Sequence, residues 1–418
     1  MNSFDLVIGY EDIKRELLRI NDVLRNPEKY EKLVDAAMPH GILLYGDHGV
    51  GKSLMAECFI RESGLPMIGV NMVEPGCEVI NEIRVAFAVA AKETKGKAIV
   101  FLDNLDDDAD ANRYAALKAC MDGYNGEEVF VLATAKDKDN IPEYLLRAGR
   151  FDKVIEIEKP CYEDAVKILK YYLSQKNCAA DVDVEEIAGI LRGDTSAELE
   201  LVVNEAGIYA VNSNWVAITQ QDLIRACLRR SFDSPEMADN GEERALLEVA
   251  IHEAGHVVAG EILVPGSVTL ASVSCHSGRF EGITCVNDDK NGGNRMKLME
   301  CRVIRNLAGK AASKIVLGIV DTGCADDLAN AFTRVERMVD NLCVFGFDAY
   351  EGKNSSEALR ARKDQLVASK MTEYYKAAKR ILTENRAFLD KVTEELKERK
   401  TLTRKDIKRI RAEAGVRT

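Results

Sequence analysis

Long apolar runs are missing from this chain of 418 residues, and its start, Met1-Asn2-Ser3-Phe4-Asp5, is not a basic and hydrophobic leader. A bilayer-spanning helix needs about twenty consecutive apolar residues. The sequence therefore predicts no membrane anchor in this chain and a cytoplasmic location. Positive charge is in deficit: 57 Lys and Arg stand against 69 Asp and Glu, a formal net charge of −12. That balance excludes nucleic acid or an anionic membrane as the main partner. Cysteine is plentiful at 11, but no two residues form a C-x-x-C pair. Scattered thiols argue for a reducing compartment and against both a disulfide framework and a cysteine-based zinc cluster.

Histidine is also scarce, with five in the chain, yet two of them stand four residues apart in His252-Glu253-Ala254-Gly255-His256. On a helix, positions i and i+4 share a face, so both imidazoles reach one Zn²⁺ and Glu253 is placed beside the metal's open position as a general base. The flanking residues support a helix. Leu246, Leu247, Ala250, Ile251, Ala254, Val257, Val258 and Ile262 recur at helical spacing, and Pro265-Gly266 ends the run. This pattern points to metal-assisted hydrolysis.

A chain of this length exceeds one hydrophobic core and predicts two or three domains. Its first part alternates short apolar strands (Gly41–Tyr45, Pro66–Val70, Lys97–Leu102, Val129–Thr134, Lys153–Ile157) with amphipathic helices, which predicts a parallel α/β sheet covered on both faces. Residues 1–158 are assigned to this domain. Helical signals replace strands over 159–235, among them a capping box at Thr195 and Glu198, and predict a small helical domain. Ser234-Pro235 and Asn240-Gly241 mark a linker over Asp233–Glu243. Residues 236–418 form the third, mainly helical domain, with one short strand region at Val268–Val286, a glycine-rich loop at Asn287–Asn294 and a capping signal at Thr403 and Asp406.

Directly after the first strand comes Gly46-Asp47-His48-Gly49-Val50-Gly51-Lys52-Ser53, which satisfies G-x-x-x-x-G-K-[ST]. Its glycines let backbone N–H groups turn toward phosphate oxygens, Lys52 reaches the terminal phosphates, and Ser53 holds Mg²⁺ at a helix N-terminus. The strand Ala98–Leu102 then ends in Asp103, a carboxylate suited to supporting Mg²⁺. ATP is the expected ligand.

This order of motifs resembles the FtsH-type AAA+ zinc metalloproteases over nearly the whole chain. The resemblance implies a P-loop AAA+ domain with a helical lid, followed by a zinc metallopeptidase domain. It also implies a homo-hexamer that acts on proteins or peptides. Leu145-Leu146-Arg147-Ala148-Gly149-Arg150-Phe151-Asp152 is similar to the family's arginine-finger segment, which gives Arg147 and Arg150 a role on a neighbouring subunit's nucleotide. Leu201-Val202-Val203-Asn204-Glu205-Ala206 resembles the family's lid helix. Thr322-Gly323-Cys324-Ala325-Asp326-Asp327-Leu328 is similar to the segment carrying the third zinc ligand, which falls on Asp327, with Asp326 as the neighbouring alternative. Spacing alone does not select it among 69 acidic residues.

Three departures from the family pattern fall on the ATPase. The family's water-polarising glutamate is Asn104, its polar asparagine on the next strand is Ala135, and the pore segment Asn71–Arg84 is short and lacks an aromatic residue. An amide does not accept a proton as a carboxylate does. The leading expectation is thus a zinc endopeptidase whose AAA+ domain binds ATP and organises a ring while hydrolysing slowly. The alternatives are a fully ATP-driven unfolding protease, with a carboxylate of Asp106-Asp107-Asp108 replacing the glutamate, and a non-proteolytic nucleotide-dependent scaffold.

Overall fold

A computed structural model describes residues 3–31, 39–70, 72, 77–93, 97–107, 110–124, 129–213, 216–232, 243–273, 282–288, 295–319, 323–347 and 356–416. The expected linker up to residue 242, the glycine-rich loop from 289 to 294, Asp108, Thr322 and most of the pore segment before residue 77 lie outside them. The chain divides into two compact units, residues 1–184 with 192–219 and residues 185–191 with 220–418.

The first unit is built on a parallel sheet of β1 (Gly41–Tyr45), β2 (Met67–Val70), β3 (Ala98–Leu102), β4 (Val129–Ala135) and β5 (Lys153–Glu156) in the order β2-β3-β4-β1-β5. These are the five strands the apolar runs predict, β1 with the expected bounds and the other four with one end shifted by a residue. Central β4 is buried along its whole length, and its side chains alternate between two cores. Phe130 and Leu132 join Ile42, Leu44 and Ile99 beneath helices α1 (Glu11–Arg25) and α3 (Lys52–Ser63), where Phe59 stacks on Phe130 at 5.7 Å between ring centroids. Val131 and Ala133 join Leu43, Val100 and Leu102 on the opposite face, under α4 (Cys77–Glu93) and α5 (Ala111–Gly123). A short helix, α2 (Pro27–Glu31), follows α1. Burial on both faces is why these strands read as continuous apolar runs.

Helix α6 (Tyr162–Ser174) follows the sheet; next in sequence, α7 (Val184–Ile190) counts almost wholly with the second unit, and α8 (Ser196–Asn212) returns to the first. The capping box at the start of α8 is formed: the Thr195 N–H donates to Glu198 Oε2 at 2.7 Å, and the Glu198 N–H donates to Thr195 Oγ1 at 3.4 Å. The Ala197 N–H donates to the Gly49 carbonyl at 3.0 Å, so the first turn of α8 rests on the loop after β1.

The second unit contains α9 (Gln220–Phe232) and is organised around α10 (Glu243–Leu263), a helix apolar on nearly all sides as expected of a central core element. Around it lie α11 (Arg295–Asn306), α12 (Ala308–Val316), α13 (Ala325–Val339), α14 (Glu357–Glu384), α15 (Arg386–Arg399) and α16 (Arg404–Glu413). Val257, Ala308, Val335, Leu382 and Leu389 share one core. The single strand region expected at 268–286 is instead two strands, β6 (Val268–Ser272) and β7 (Ile283–Val286), joined in an antiparallel sheet by β8 (Thr401–Thr403) in the order β7-β6-β8. Strand β8 interrupts what the periodicity predicts as continuous helix. Lys400, at φ 64°, ends α15, and the fully buried Leu402 anchors the strand. The Thr403–Asp406 capping box then opens α16. Among the described residues no helix is long and apolar enough to cross a membrane.

Candidate metal centre and nucleotide site

His252 and His256 lie one turn apart on α10, and their Nε2 atoms are 2.9 Å from each other. Asp327, in the first turn of α13, places Oδ2 3.1 Å from His252 Nε2 and 3.0 Å from His256 Nε2. Asp326 is exposed, and its neighbour alone brings a carboxylate oxygen to the histidines among the described residues. Two imidazoles and one carboxylate with a fourth position left open are the donor set of a catalytic Zn²⁺. Bonds of about 2.0–2.1 Å in a tetrahedron separate ligand atoms by roughly 3.3 Å. The observed group fits a zinc ion after an outward adjustment of a few tenths of an ångström.

The residues behind the ligands orient them. The Nδ1 of His256 lies 2.9 Å from the Arg305 carbonyl oxygen, so a proton on Nδ1 is donated there and Nε2 keeps its lone pair for metal. Gly309 on α12 lies against His252, where a Cβ would run into the imidazole ring. Burial raises the Asp327 carboxyl, but the two imidazoles beside it, His256 first, outweigh burial and hold that group well below the ordinary carboxylate range. Glu253 is buried at 5% exposure, and its Oε2 accepts a 2.6 Å hydrogen bond from Thr284 Oγ1 on β7. Arg305, Gly309 and Thr284 went unseen in the sequence, since each meets its partner through a tertiary contact that leaves no local pattern.

In the first unit the loop Gly46–Ser53 joins β1 to α3, and Gly51, at φ 103°, makes the left-handed turn that starts the helix. Lys52 is nearly buried, and its ammonium donates to the carbonyls of Gly46 at 2.7 Å and Asp47 at 2.8 Å. Burial lowers its pKa, partly offset by the charges of Asp106 and Asp103. Ser53 Oγ donates to Asp103 Oδ1 at 3.1 Å, which brings together a hydroxyl and a carboxylate suited to Mg²⁺. Open space around Gly51 and the buried, loop-bound lysine fit a nucleotide's phosphates.

Residues 42–159 match the ATPase family associated with various cellular activities (AAA), and residues 240–410 match peptidase family M41. The ATP-dependent zinc metalloprotease FtsH of Halothermothrix orenii is 30% identical over 435 residues, covering 95% of this chain and 68% of that protein. FtsH of Lachnoclostridium phytofermentans is 31% identical over 434 residues, covering 97% and 74%. The chain belongs to the FtsH family. FtsH 3 of Symbiobacterium thermophilum is similar at 30% identity over 444 residues, 97% of this chain and 70% of that protein.

Two of the positions that the resemblance reads as departures, Asn104 and Ala135, adjoin Asp103 and its partner Thr134. Asn104 is left-handed at φ 56°, and its N–H donates to Thr134 Oγ1 at 2.8 Å. Thr134 in turn donates to Asp103 Oδ1 at 2.5 Å. Ala135 is fully buried at the end of β4, where its carbonyl accepts from the Gly46 N–H at 3.2 Å. The Asp106 carboxylate is occupied by the backbone N–H groups of Lys136 at 2.8 Å and Asp137 at 2.9 Å, which ties it to the loop after β4. The two arginines expected to act together are held differently. Arg147 is exposed and pairs with Glu143 at 3.4 Å, whereas Arg150 forks onto Asp122 at 2.8 and 3.1 Å and also donates to the Tyr144 carbonyl.

Proposed function

We propose that this chain is a zinc endopeptidase of protein or peptide substrates, with an AAA domain that binds MgATP, organises a cytoplasmic homo-hexamer and turns ATP over slowly. The observation that carries this reading is the convergence of His252, His256 and Asp327 within 3.1 Å beside the buried Glu253. We divide the chain into a nucleotide-binding domain (1–158), a helical lid (159–235) and a peptidase domain (236–418).

His252, His256 and Asp327 would hold the zinc, with the Arg305 carbonyl keeping His256 in the ligating tautomer. Bound zinc supplies Lewis acidity to a peptide carbonyl and lowers the pKa of the attacking water. Glu253 takes that water's proton and delivers it to the departing amine, while Thr284 keeps the carboxylate aimed. In the first unit, Gly46, Asp47, His48, Gly49, Val50, Gly51 and Lys52 would cradle the phosphates, and Ser53 with Asp103 would hold Mg²⁺. The exposed Arg147 would extend toward a neighbouring subunit's nucleotide by giving up its surface pair with Glu143. Arg150 reaches it only after leaving Asp122.

Casein degradation by the purified chain, measured with and without ATP and alongside zinc content, tests the reading. Cleavage that persists without ATP hydrolysis supports it. Strict dependence on hydrolysis would make the chain a working unfolding protease, and a zinc-loaded chain that cleaves nothing would make it a scaffold.

A further inference from the structure

Strand β4 reads Val-Phe-Val-Leu-Ala-Thr-Ala and is buried from end to end, and Thr134 is its one polar side chain, at 0% exposure. A buried hydroxyl costs stability unless it is hydrogen-bonded, and valine would fill the same space in a strand without that cost. The strand register shows what the hydroxyl serves. Leu102 lies opposite Ala133, so the next residues on the two parallel strands, Asp103 and Thr134, meet where β3 ends. Side chains alternate along a strand, and Thr134 falls on the face of Phe130 and Leu132, the side covered by α1 and α3. Ser53 lies in the first turn of α3.

Three hydrogen bonds fasten the turn after β3 to Thr134. Its Oγ1 donates to Asp103 Oδ1 at 2.5 Å and accepts from the Asn104 N–H at 2.8 Å, and its carbonyl accepts from the Leu105 N–H at 2.7 Å. Asn104 is left-handed at φ 56° as its N–H turns to that hydroxyl. Ser53 Oγ donates to the same carboxylate oxygen, Oδ1, at 3.1 Å, whereas Asp103 Oδ2 makes no hydrogen bond among the described residues. A carboxylate fastened through one oxygen keeps a fixed direction for the other, and a hydroxyl beside it completes a pair of oxygen donors suited to a hard cation.

We propose that Thr134 is the positioning residue of the Mg²⁺ site: its hydroxyl locks the Asp103 carboxylate beside Ser53 and thereby sets how strongly the cation is held with the nucleotide. The role rests on the MgATP reading above and extends it to a residue that acts through Asp103. Groups that orient metal ligands contribute about ten- to a hundredfold to metal affinity.

ATP binding to the whole chain as wild type, Thr134→Val and Thr134→Ser, read by isothermal titration calorimetry in EDTA and over a series of Mg²⁺ concentrations, tests the assignment. In Thr134→Val the Mg²⁺ concentration giving half of the tightening should rise about ten- to a hundredfold, while ATP binding in EDTA keeps its wild-type value and reports an intact phosphate loop. Thr134→Ser keeps the hydroxyl and loses only the methyl, so it should stay close to wild type. Unchanged Mg²⁺ dependence in Thr134→Val, or equal losses in both variants, would overturn the role. Loss of ATP binding in EDTA by Thr134→Val would overturn it as well, by making the residue a support of the whole loop rather than of the cation site. A wild-type chain whose ATP binding does not respond to Mg²⁺ would refute the MgATP reading itself, and the positioning role with it.

Discussion

The Nδ1 of His256 meets the backbone carbonyl of Arg305 at 2.9 Å, so a main-chain atom of α11 sets the tautomer of a histidine on α10. No side-chain substitution at position 305 removes that acceptor. Ligand geometry depends on how the two helices pack, and the Arg305 side chain is left to serve Asp288. Helix α11 thus holds the metal ligand through its backbone and neutralises Asp288 through its Arg302 and Arg305 side chains.

Glu253→Gln is expected to lower peptide cleavage by about a hundredfold to ten-thousandfold while leaving zinc bound. The amide oxygen can still accept the bond from Thr284 but cannot take the water's proton. His256→Ala should instead lose metal. Zinc content by mass spectrometry, set beside cleavage rates, separates the two effects, and equal zinc loss in both variants would make Glu253 a ligand or structural residue.

Asp327→Ala should lose zinc and activity, whereas Asp326→Ala, which alters an exposed side chain, should retain both. The reverse pattern would shift the ligand by one residue. Zinc stoichiometry after dialysis against a weak chelator is sufficient to decide.

Gly309→Ala is expected to weaken zinc binding by about ten- to a hundredfold, the range seen when groups that orient ligands are lost. The added methyl points into the His252 ring, and that ring moves more easily than helix α12. A competition titration with a chromogenic chelator reads the affinity, and wild-type affinity in this variant would show that α12 yields instead.

Features whose residues are adjacent in sequence were the legible ones: the five apolar runs of the parallel sheet, the loop after β1, the two histidines one turn apart, and the capping boxes at Thr195 and Thr403. Long-range relationships were not. Asp327 lies 71 residues from His256 and was reached only through family resemblance, and Thr284 lies 31 residues from Glu253. The pairing of Arg150 with Asp122 spans 28 residues, so resemblance treats two arginines alike that the fold holds differently. Strand β8 is three residues between two helices, too short for a period of two to register.

Lys52→Ala should weaken ATP binding and ring assembly, because it removes the charge that faces the terminal phosphates. This lysine also bridges the carbonyls of Gly46 and Asp47, so its loss loosens the cradle as well. Analytical ultracentrifugation with and without MgATP measures assembly. Unchanged oligomer size and unchanged casein cleavage would separate the nucleotide site from the peptidase.

The last prediction concerns Asn104, which the resemblance aligns with the family's glutamate and whose N–H donates to Thr134, the partner of Asp103. A general base contributes about a hundredfold to ten-thousandfold, so the wild-type chain should bind MgATP and release phosphate very slowly. Asp106 is a poor substitute, since two backbone N–H groups already hold its carboxylate. Asn104→Glu should restore part of the turnover. Recovery stays incomplete for two physical reasons. Position 104 is left-handed at φ 56°, a conformation that asparagine tolerates and that costs most other residues roughly 1–2 kcal/mol. Ala135, buried at the end of β4, still offers no polar side chain to place the water. The measurement is steady-state phosphate release at saturating MgATP by both chains. Rapid wild-type turnover that the glutamate leaves unchanged or reduces would mean that another carboxylate supplies the base and that the AAA domain works as a motor.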